Sequence, residues 1–331
     1  MLIIEEIFYE EEIPVYDLTV PETSSFFANN ILVHNCSEIF LFQDQDHSYT
    51  CVLASMNLFM YDQWKDTSAI FDATVFLDCV AEDFIQNAKG KAGFEKSVRF
   101  TEKGRALGLG VCGYHSYLQD HMMAFESLDA LFFNQMFFKE LHDKSLDASQ
   151  WMAKEFGEPE WCKGYGVRNT HRTAIAPTMS TSQIMGGISQ GIEPMQGCCF
   201  VQTSSGGEEE RINPIFLKLM KSRGKNNKKI QKDIMDNYGS CQHLDWVTDE
   251  EKLVFRTAPE IDQTVIIRQA SQRQRWICQG QSLNLFVYSS TPAKHIAYLH
   301  KLIIKDEWIK GAYYLRGQAG VSASLGCVAC Q

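Results

Sequence analysis

The chain has 331 residues, with 31 Lys and Arg against 41 Asp and Glu for a formal net charge of −10, and 45% hydrophobic residues. That is the composition of a globular protein with room for one large or two smaller domains, and its acidic balance argues against nonspecific nucleic-acid binding, which needs an excess of cations to displace phosphate counterions. No apolar run reaches the roughly 18 residues of a spanning helix, and Met1-Leu-Ile-Ile-Glu-Glu carries acids where a signal peptide carries a basic region, so a cytoplasmic protein with no membrane association is expected.

Residues 1–35 read as a small β unit. Val15-Tyr-Asp-Leu-Thr-Val20 alternates like a strand, Pro21-Glu-Thr-Ser-Ser25 turns, and Phe26-Phe-Ala-Asn-Asn30 leads into Ile31-Leu-Val33. Helical spacing starts near residue 67, with Ile70, Phe71, Val75, Phe76 and Val80 on one stripe, and returns over residues 128–156 with Leu131, Phe132, Met136 and Phe137. Both read as core helices. The glycine-rich stretch 104–113 fits neither nucleotide-binding fingerprint and is expected as part of a helix packed closely on a neighbour. Thr173-Ala-Ile-Ala176 reads as a short buried strand, and residues 221–232 as a solvated basic loop. Residues 283–288 suggest a strand and 291–304 a helix. This alternation makes the body α/β. Residues 318–331 form a small-residue tail.

Eleven cysteines in a large chain, an odd number, argue for reduced thiols rather than a secreted disulfide framework. Only Cys327-Val-Ala-Cys330 has close Cys-x-x-Cys spacing. With no second pair or paired histidines beside it, the pair reads as a dithiol and no metal site is expected.

Two stretches carry chemistry. In Val33-His34-Asn35-Cys36 the Asn amide can attack its own carbonyl and cleave the following peptide bond, with His34 transferring protons, and Cys36 supplies a nucleophile that can carry an acyl group. In Cys36-Ser-Glu38 an extended backbone puts thiol and carboxylate on one face, where Glu38 can serve as base for chemistry begun at Cys36. Cys51 is a candidate for a redox pair with another thiol.

The strand, turn, His-Asn and Cys of residues 1–36 resemble the C-terminal half of an intein followed by its first extein residue. Ser24 departs from the pattern, standing where inteins often carry a histidine. Because the chain starts at Met1 with no N-terminal intein half, the resemblance implies a split intein of Hint-like β fold whose other half is on another chain, in a phage or other mobile-element setting.

Residues 36–331 resemble the C-terminal half of the large subunit of class I ribonucleotide reductase. The resemblance runs in order through Cys36-Ser-Glu38, Tyr49-Thr-Cys51-Val-Leu-Ala-Ser-Met-Asn57-Leu, Arg105-Ala-Leu-Gly-Leu-Gly-Val, Ala176-Pro-Thr-Met-Ser-Thr-Ser-Gln183-Ile, Gly191-Ile-Glu-Pro194, Gln281-Ser-Leu-Asn-Leu, Ala312-Tyr-Tyr-Leu and the terminal Cys pair. It implies part of a ten-stranded α/β barrel over residues 36–317, after an intein segment over 1–35 and before a redox tail over 318–331. By the same resemblance Cys36 is the thiyl-radical cysteine that abstracts the 3′ hydrogen of the ribose. Glu38 takes the 3′-hydroxyl proton and assists loss of the 2′-hydroxyl as water. Cys51 is one of two cysteines that reduce the substrate radical, its partner lying upstream. An Asn of the family's site falls at His34, inside the intein segment, so it must arrive with the other half. Pro177, Thr178, Met179, Ser180, Thr181 and Ser182 bind the substrate phosphates, with Met179 standing where some members have a carboxylate. Tyr313 and Tyr314 relay the radical, and Cys327 and Cys330 re-reduce the site. The implied partners are the N-terminal half of the large subunit, a radical-bearing small subunit, thioredoxin or glutaredoxin as electron donor, and a ribonucleotide, with no cofactor bound directly by this chain. Two rival readings are a non-catalytic structural fragment and a cobalamin-dependent reductase. The Tyr-Tyr pair favours partnership with a small subunit.

Overall fold

The computed structural model describes residues 25–28, 31–34, 38–50, 52–204 and 207–318. Strands β1 (Ser25–Ala28) and β2 (Ile31–His34) pair antiparallel, with Ser25 opposite His34 and Ala28 opposite Ile31. The strand expected at 15–20, and Asn35, Cys36, Cys51, Cys327 and Cys330, lie outside the described residues.

The body is an arc of parallel segments joined by helices. Strand β3 (Val52–Asn57) runs parallel to β4 (Leu107–Cys112), in register from Val52 opposite Leu107 to Asn57 opposite Cys112. Between them lie the single turn α1 (Tyr61–Trp64), α2 (Ala69–Ala88) and α3 (Glu95–Gly104). Helices α4 (Tyr114–Asp120) and α5 (Leu128–Phe156) then lead to the segment 173–175, which bridges β4 at Leu109–Thr173 and the next segment at Ile175–Gln281, both in parallel. After α6 (Met179–Ile184) comes an excursion: the antiparallel hairpin β5 (Cys199–Ser204) and β6 (Gly207–Ile212), then α7 (Pro214–Ser222), α8 (Lys228–Asp236) and α9 (Asp249–Val254). Helix α10 (Gln263–Gln274) leads back to β7 (Leu285–Tyr288), and α11 (Ala293–Lys305) crosses to β8 (Leu315–Gln318), parallel to β7. Five parallel segments in chain order, each reached through a crossover, are the construction of an α/β barrel wall. Among the described residues β3 and β8 are each paired on one side only. The described wall is therefore an open arc.

The glycine-rich stretch is a strand, not a helix. All six residues of β4 are buried, as a parallel strand covered on both faces must be. A Cβ on Gly108 would sit 2.2 Å from Leu53 Cδ2, and one on Gly110 would sit 2.3 Å from the Ala174 carbonyl oxygen. The small residues serve contact between neighbouring wall segments, a requirement that spacing along the chain cannot distinguish from helix packing. Arg105 ends α3 in the left-handed region, at φ 44°, and turns the chain into β4.

Helix α5 spans the expected residues, begun by the Ser127 hydroxyl accepting from the Ala130 N–H at 3.1 Å. Its buried face differs from the expected stripe: Phe133, Phe137 and Phe138 are buried while Phe132 is 79% exposed and Met136 is also exposed. On α2 the core residues are Ile70, Leu77 and Ala81, with Phe76 and Val80 exposed. In each case two apolar stripes lie side by side, and the direction of the core selects between them. The basic segment 221–232 is no single loop, since α7 runs to Ser222 and α8 starts at Lys228 with Asn227 as its cap. Among the described residues no helix is long and apolar enough to cross a membrane.

One buried polar cluster ties the outer helices to the wall. Asp78 of α2 accepts from Arg105 Nε at 2.8 Å and Nη2 at 2.9 Å, from Arg168 Nε at 3.0 Å and from Asn169 Nδ2 at 2.9 Å. Arg105 is only 4% exposed. Glu82 still holds Arg105 Nη1 at 2.7 Å when the Asp78 carboxylate is removed. The loss is therefore that of the donors left unsatisfied on Arg105, Arg168 and Asn169, and Asp78→Ala is expected to cost about 1–3 kcal/mol, read as a lower urea midpoint at unchanged slope.

Candidate active site

The segment carrying Glu38 is held against the wall through main-chain bonds. The Gly280 N–H donates to the Glu38 carbonyl at 2.8 Å, and the Phe40 N–H donates to Gln279 Oε1 at 3.1 Å. Gln279 Nε2 also donates to the Leu107 carbonyl at 2.9 Å. The Glu38 residue is 3% exposed. The carboxylate predicted as a base is thus an interior group, anchored on the wall segment that leads to β7. Its expected companions Cys36 and Cys51, with Asn35, lie outside the described residues, and His34 ends β2.

At the carboxyl ends of the wall segments a second loop system is assembled. Residues 177–182 follow the segment 173–175, and Thr178 takes the left-handed conformation, at φ 58°, to start α6. Its hydroxyl accepts from the Gly191 N–H at 2.8 Å. A Cβ on Gly191 would lie 2.9 Å from the Ala176 carbonyl oxygen, so glycine is required for the two loops to touch. Of the six residues predicted to hold phosphate, Met179 is buried and the Ser182 hydroxyl donates to the Met179 carbonyl at 2.8 Å. Both side chains therefore serve the fold. Ser180 and Thr181 are half-buried, and the backbone N–H groups of the first helical turn have no intrahelical acceptors. The stretch after Gly191 is further clamped to α4, where His115 Nδ1 accepts from the Met195 N–H at 2.8 Å.

Thr178 and the tyrosine pair are connected through residues not singled out in sequence. Two positions beyond Gly191, Glu193 is buried and accepts from Asn284 Nδ2, while Asn284 Oδ1 accepts from the Tyr314 N–H at 2.8 Å. The Tyr313 N–H donates to the Leu283 carbonyl at 2.8 Å. The two tyrosine rings lie with centroids 4.0 Å apart at 50°. Arg316 stands 3.9 Å from Glu193, with its guanidinium carbon 5.7 Å from the Tyr314 ring centroid. Tyr313 and Tyr314 directly precede β8. Glu193 and Asn284 belong to the quoted Gly-Ile-Glu-Pro and Gln-Ser-Leu-Asn runs, and that membership is the signal by which they could have been found. Gln183, Gln190, Glu193 and Arg211 help to line a cleft of about 330 Å³ between α6 and the β5–β6 hairpin. Cys112, closing β4, has its thiol 3.3 Å from Met185 Sδ, and burial pushes it up to about 12. A thiol so protonated is a packing group.

The chain matches the family described as ribonucleotide reductase, barrel domain, over residues 24–161 and 159–315. It belongs to that family. It is 36% identical over 286 residues to a Frog virus 3 protein named as a candidate ribonucleoside-diphosphate reductase large subunit, covering 86% of this chain and 50% of that one. It is 35% identical over 290 residues to the ribonucleoside-diphosphate reductase large subunit of Invertebrate iridescent virus 3, covering 86% and 45%. Among solved structures it resembles the class Id ribonucleotide reductase alpha subunit of Actinobacillus ureae, at 42% identity and TM-score 0.78 over 89% of this chain and 56% of that one. The chain spans about half the length of the curated relatives it matches. The open arc is accordingly wall of a ribonucleotide reductase barrel, of the class I-like large-subunit type.

Within that barrel Glu193 is a buried acid whose carboxyl is raised by burial, an effect opposed by Arg316 and by the Asn284 hydrogen bond. A raised acid favours folding below its ordinary pKa, and that stability is lost as pH rises through the folded value. Glu193→Gln is expected to flatten this component, so the drop in urea midpoint between pH 4.5 and pH 7 should be smaller in the variant than in the parent.

Proposed function

We propose that this chain, once joined to an upstream half, completes a large subunit that reduces ribonucleoside diphosphates to deoxyribonucleoside diphosphates for DNA precursor synthesis. The observation that carries the reading is the ordered barrel match at 42% identity to a class Id alpha subunit. Several features support it. Glu38 is interior and fixed to the wall, as a base acting away from water must be. Residues 177–182 supply backbone donors at a helix start, and Tyr313 and Tyr314 are in ring contact.

In this proposal Cys36 carries the thiyl radical and removes the ribose 3′ hydrogen. Glu38 accepts the 3′-hydroxyl proton and assists departure of the 2′-hydroxyl as water. Cys51 and a thiol from the upstream half supply two electrons and become a disulfide, which Cys327 and Cys330 reduce in exchange before thioredoxin or glutaredoxin reduces them. A small subunit supplies the radical through Tyr314 and Tyr313, and this chain binds no cofactor of its own. Residues 1–35 act as a split-intein half, in which His34 and Asn35 release the junction and Cys36 accepts the upstream extein. Splicing and completion of the active site then share one sulfur atom.

The test starts with intact mass after mixing the chain with its N-terminal counterpart. The expected product gains the upstream extein and loses residues 1–35, and it reduces ribonucleoside diphosphates only with added small subunit. A requirement for cobalamin instead would favour the cobalamin-dependent reading, and a spliced product without turnover the structural one. Cys36→Ser is expected to splice slowly at best and to give no reduction. Glu38→Gln should lower kcat by about 10²–10⁴ with splicing intact, the range for loss of a general base.

A further inference from the structure

At the amino-terminal ends of the wall segments, away from the loops just described, Cys278 sits among cations. Its N–H donates to Thr173 Oγ1 at 2.9 Å, and the next N–H, of Gln279, donates to the Thr173 carbonyl at 3.0 Å, so the cysteine is fixed where two wall segments begin. Lys310, an exposed side chain, reaches back to donate to the Cys278 carbonyl and, at 3.4 Å, to that of Ile277. Arg172 is only 8% exposed, and its buried Nε has no hydrogen-bond partner among the described residues. His171 adjoins it, with its imidazole held below its usual range by burial and by the positive charges of Lys310 and Arg172. Burial raises the Cys278 thiol, yet the Arg172 charge and hydrogen bonds from Thr173 and the Arg172 backbone more than offset it, leaving the thiol below its ordinary value. Most other cysteines among the described residues are buried, Cys79 on α2 is exposed, and Cys278 is half-buried.

We propose that Cys278 is a modification site: a half-buried thiol, fixed at the start of two wall segments beside Arg172 and Lys310, that exchanges with small anionic disulfides, of which oxidised glutathione is the type. The thiolate is the nucleophilic form, and cationic surroundings with partial exposure are what populate it and let it react. Arg172 and Lys310 carry the charge that complements the carboxylates of such a disulfide. In the step, Cys278 Sγ forms a bond to one sulfur of the disulfide as the original S–S bond breaks. The other glutathione leaves as a thiolate carrying the electron pair, so no further oxidant is needed.

The test uses the full, reduced chain mixed with oxidised glutathione at pH 7, quenched in time by alkylation and mapped by peptide mass. Cys278 is expected to gain one glutathionyl group about tenfold faster than Cys79, and to lose most of that advantage with the uncharged disulfide of mercaptoethanol. Arg172→Leu should slow Cys278 several-fold and leave Cys79 unchanged, because loss of the neighbouring cation lowers the thiolate fraction, an effect partly offset by the greater nucleophilicity of the thiolate that remains. Lys310→Gln, at an exposed side chain, should act in the same direction and carries the test if Arg172→Leu does not fold by circular dichroism. Cys278 reacting no faster than Cys79, an equal advantage with the uncharged disulfide, or unchanged rates in the folded variants would each overturn the proposal.

Discussion

The dipeptide Gln279-Gly280 is the joint on which the interior of the arc depends. Its main chain pairs with Thr173 and Ile175, the Gln279 side chain binds Leu107 and Phe40, and the Gly280 N–H holds the Glu38 carbonyl. Three separated parts of the chain thus meet through buried polar groups, each with a defined partner. Such a joint is specific because any displacement leaves donors or acceptors buried and unsatisfied, at about 1–3 kcal/mol each. It also places Glu38 inside the wall, so the geometry of a reactive segment is inherited from the pairing of the barrel itself.

The carboxyl ends of the wall segments use the same principle in loops. Thr178, Gly191, Glu193, Asn284 and Tyr314 form a continuous polar path, with peptide contacts where close approach is needed and side-chain amides where reach is needed. A loop tied at this many points is pre-organised, and pre-organisation rather than added contact is what positions reacting groups effectively. The α6 start and the tyrosine pair are therefore joined by one hydrogen-bonded path, although some 130 residues separate them along the chain.

Three buried cations differ in how far their charge is compensated. Arg105 meets the Asp78 carboxylate in paired hydrogen bonds. Among the described residues, Arg273, 1% exposed, meets only amide oxygens of Gln281 and Asn134 and the faces of Tyr114 and Phe138, and burial pulls it down to about 10. Arg172 keeps a donor with no partner among the described residues, beside a thiol. The first arrangement is a structural lock, the second a desolvated packing element, and the third leaves electrostatic demand for an anion. The local charge balance, not burial alone, separates scaffold from reactive corner.

Much of the body was legible from the residues. The extent of α5 follows from its periodicity and the α/β class from alternating helices and strands, whereas the β1–β2 hairpin pairs residues 25–28 with 31–34, and the reading from the residues puts the turn at 21–25. The motif order from Glu38 to Tyr314 marked the family because chemistry requires particular residue types whatever their spacing. Tertiary structure decided what depends on neighbours distant in sequence. It made Gly108 and Gly110 part of a strand, because Leu53 and the Ala174 carbonyl occupy the space a side chain would need. It chose Phe133 over Phe132 for the core, drew Glu193 and Asn284 between the two loops, and turned Ser182 inward. A sequence specifies local preference and chemical type, whereas burial, close approach and charge environment come into being only when distant segments share one volume.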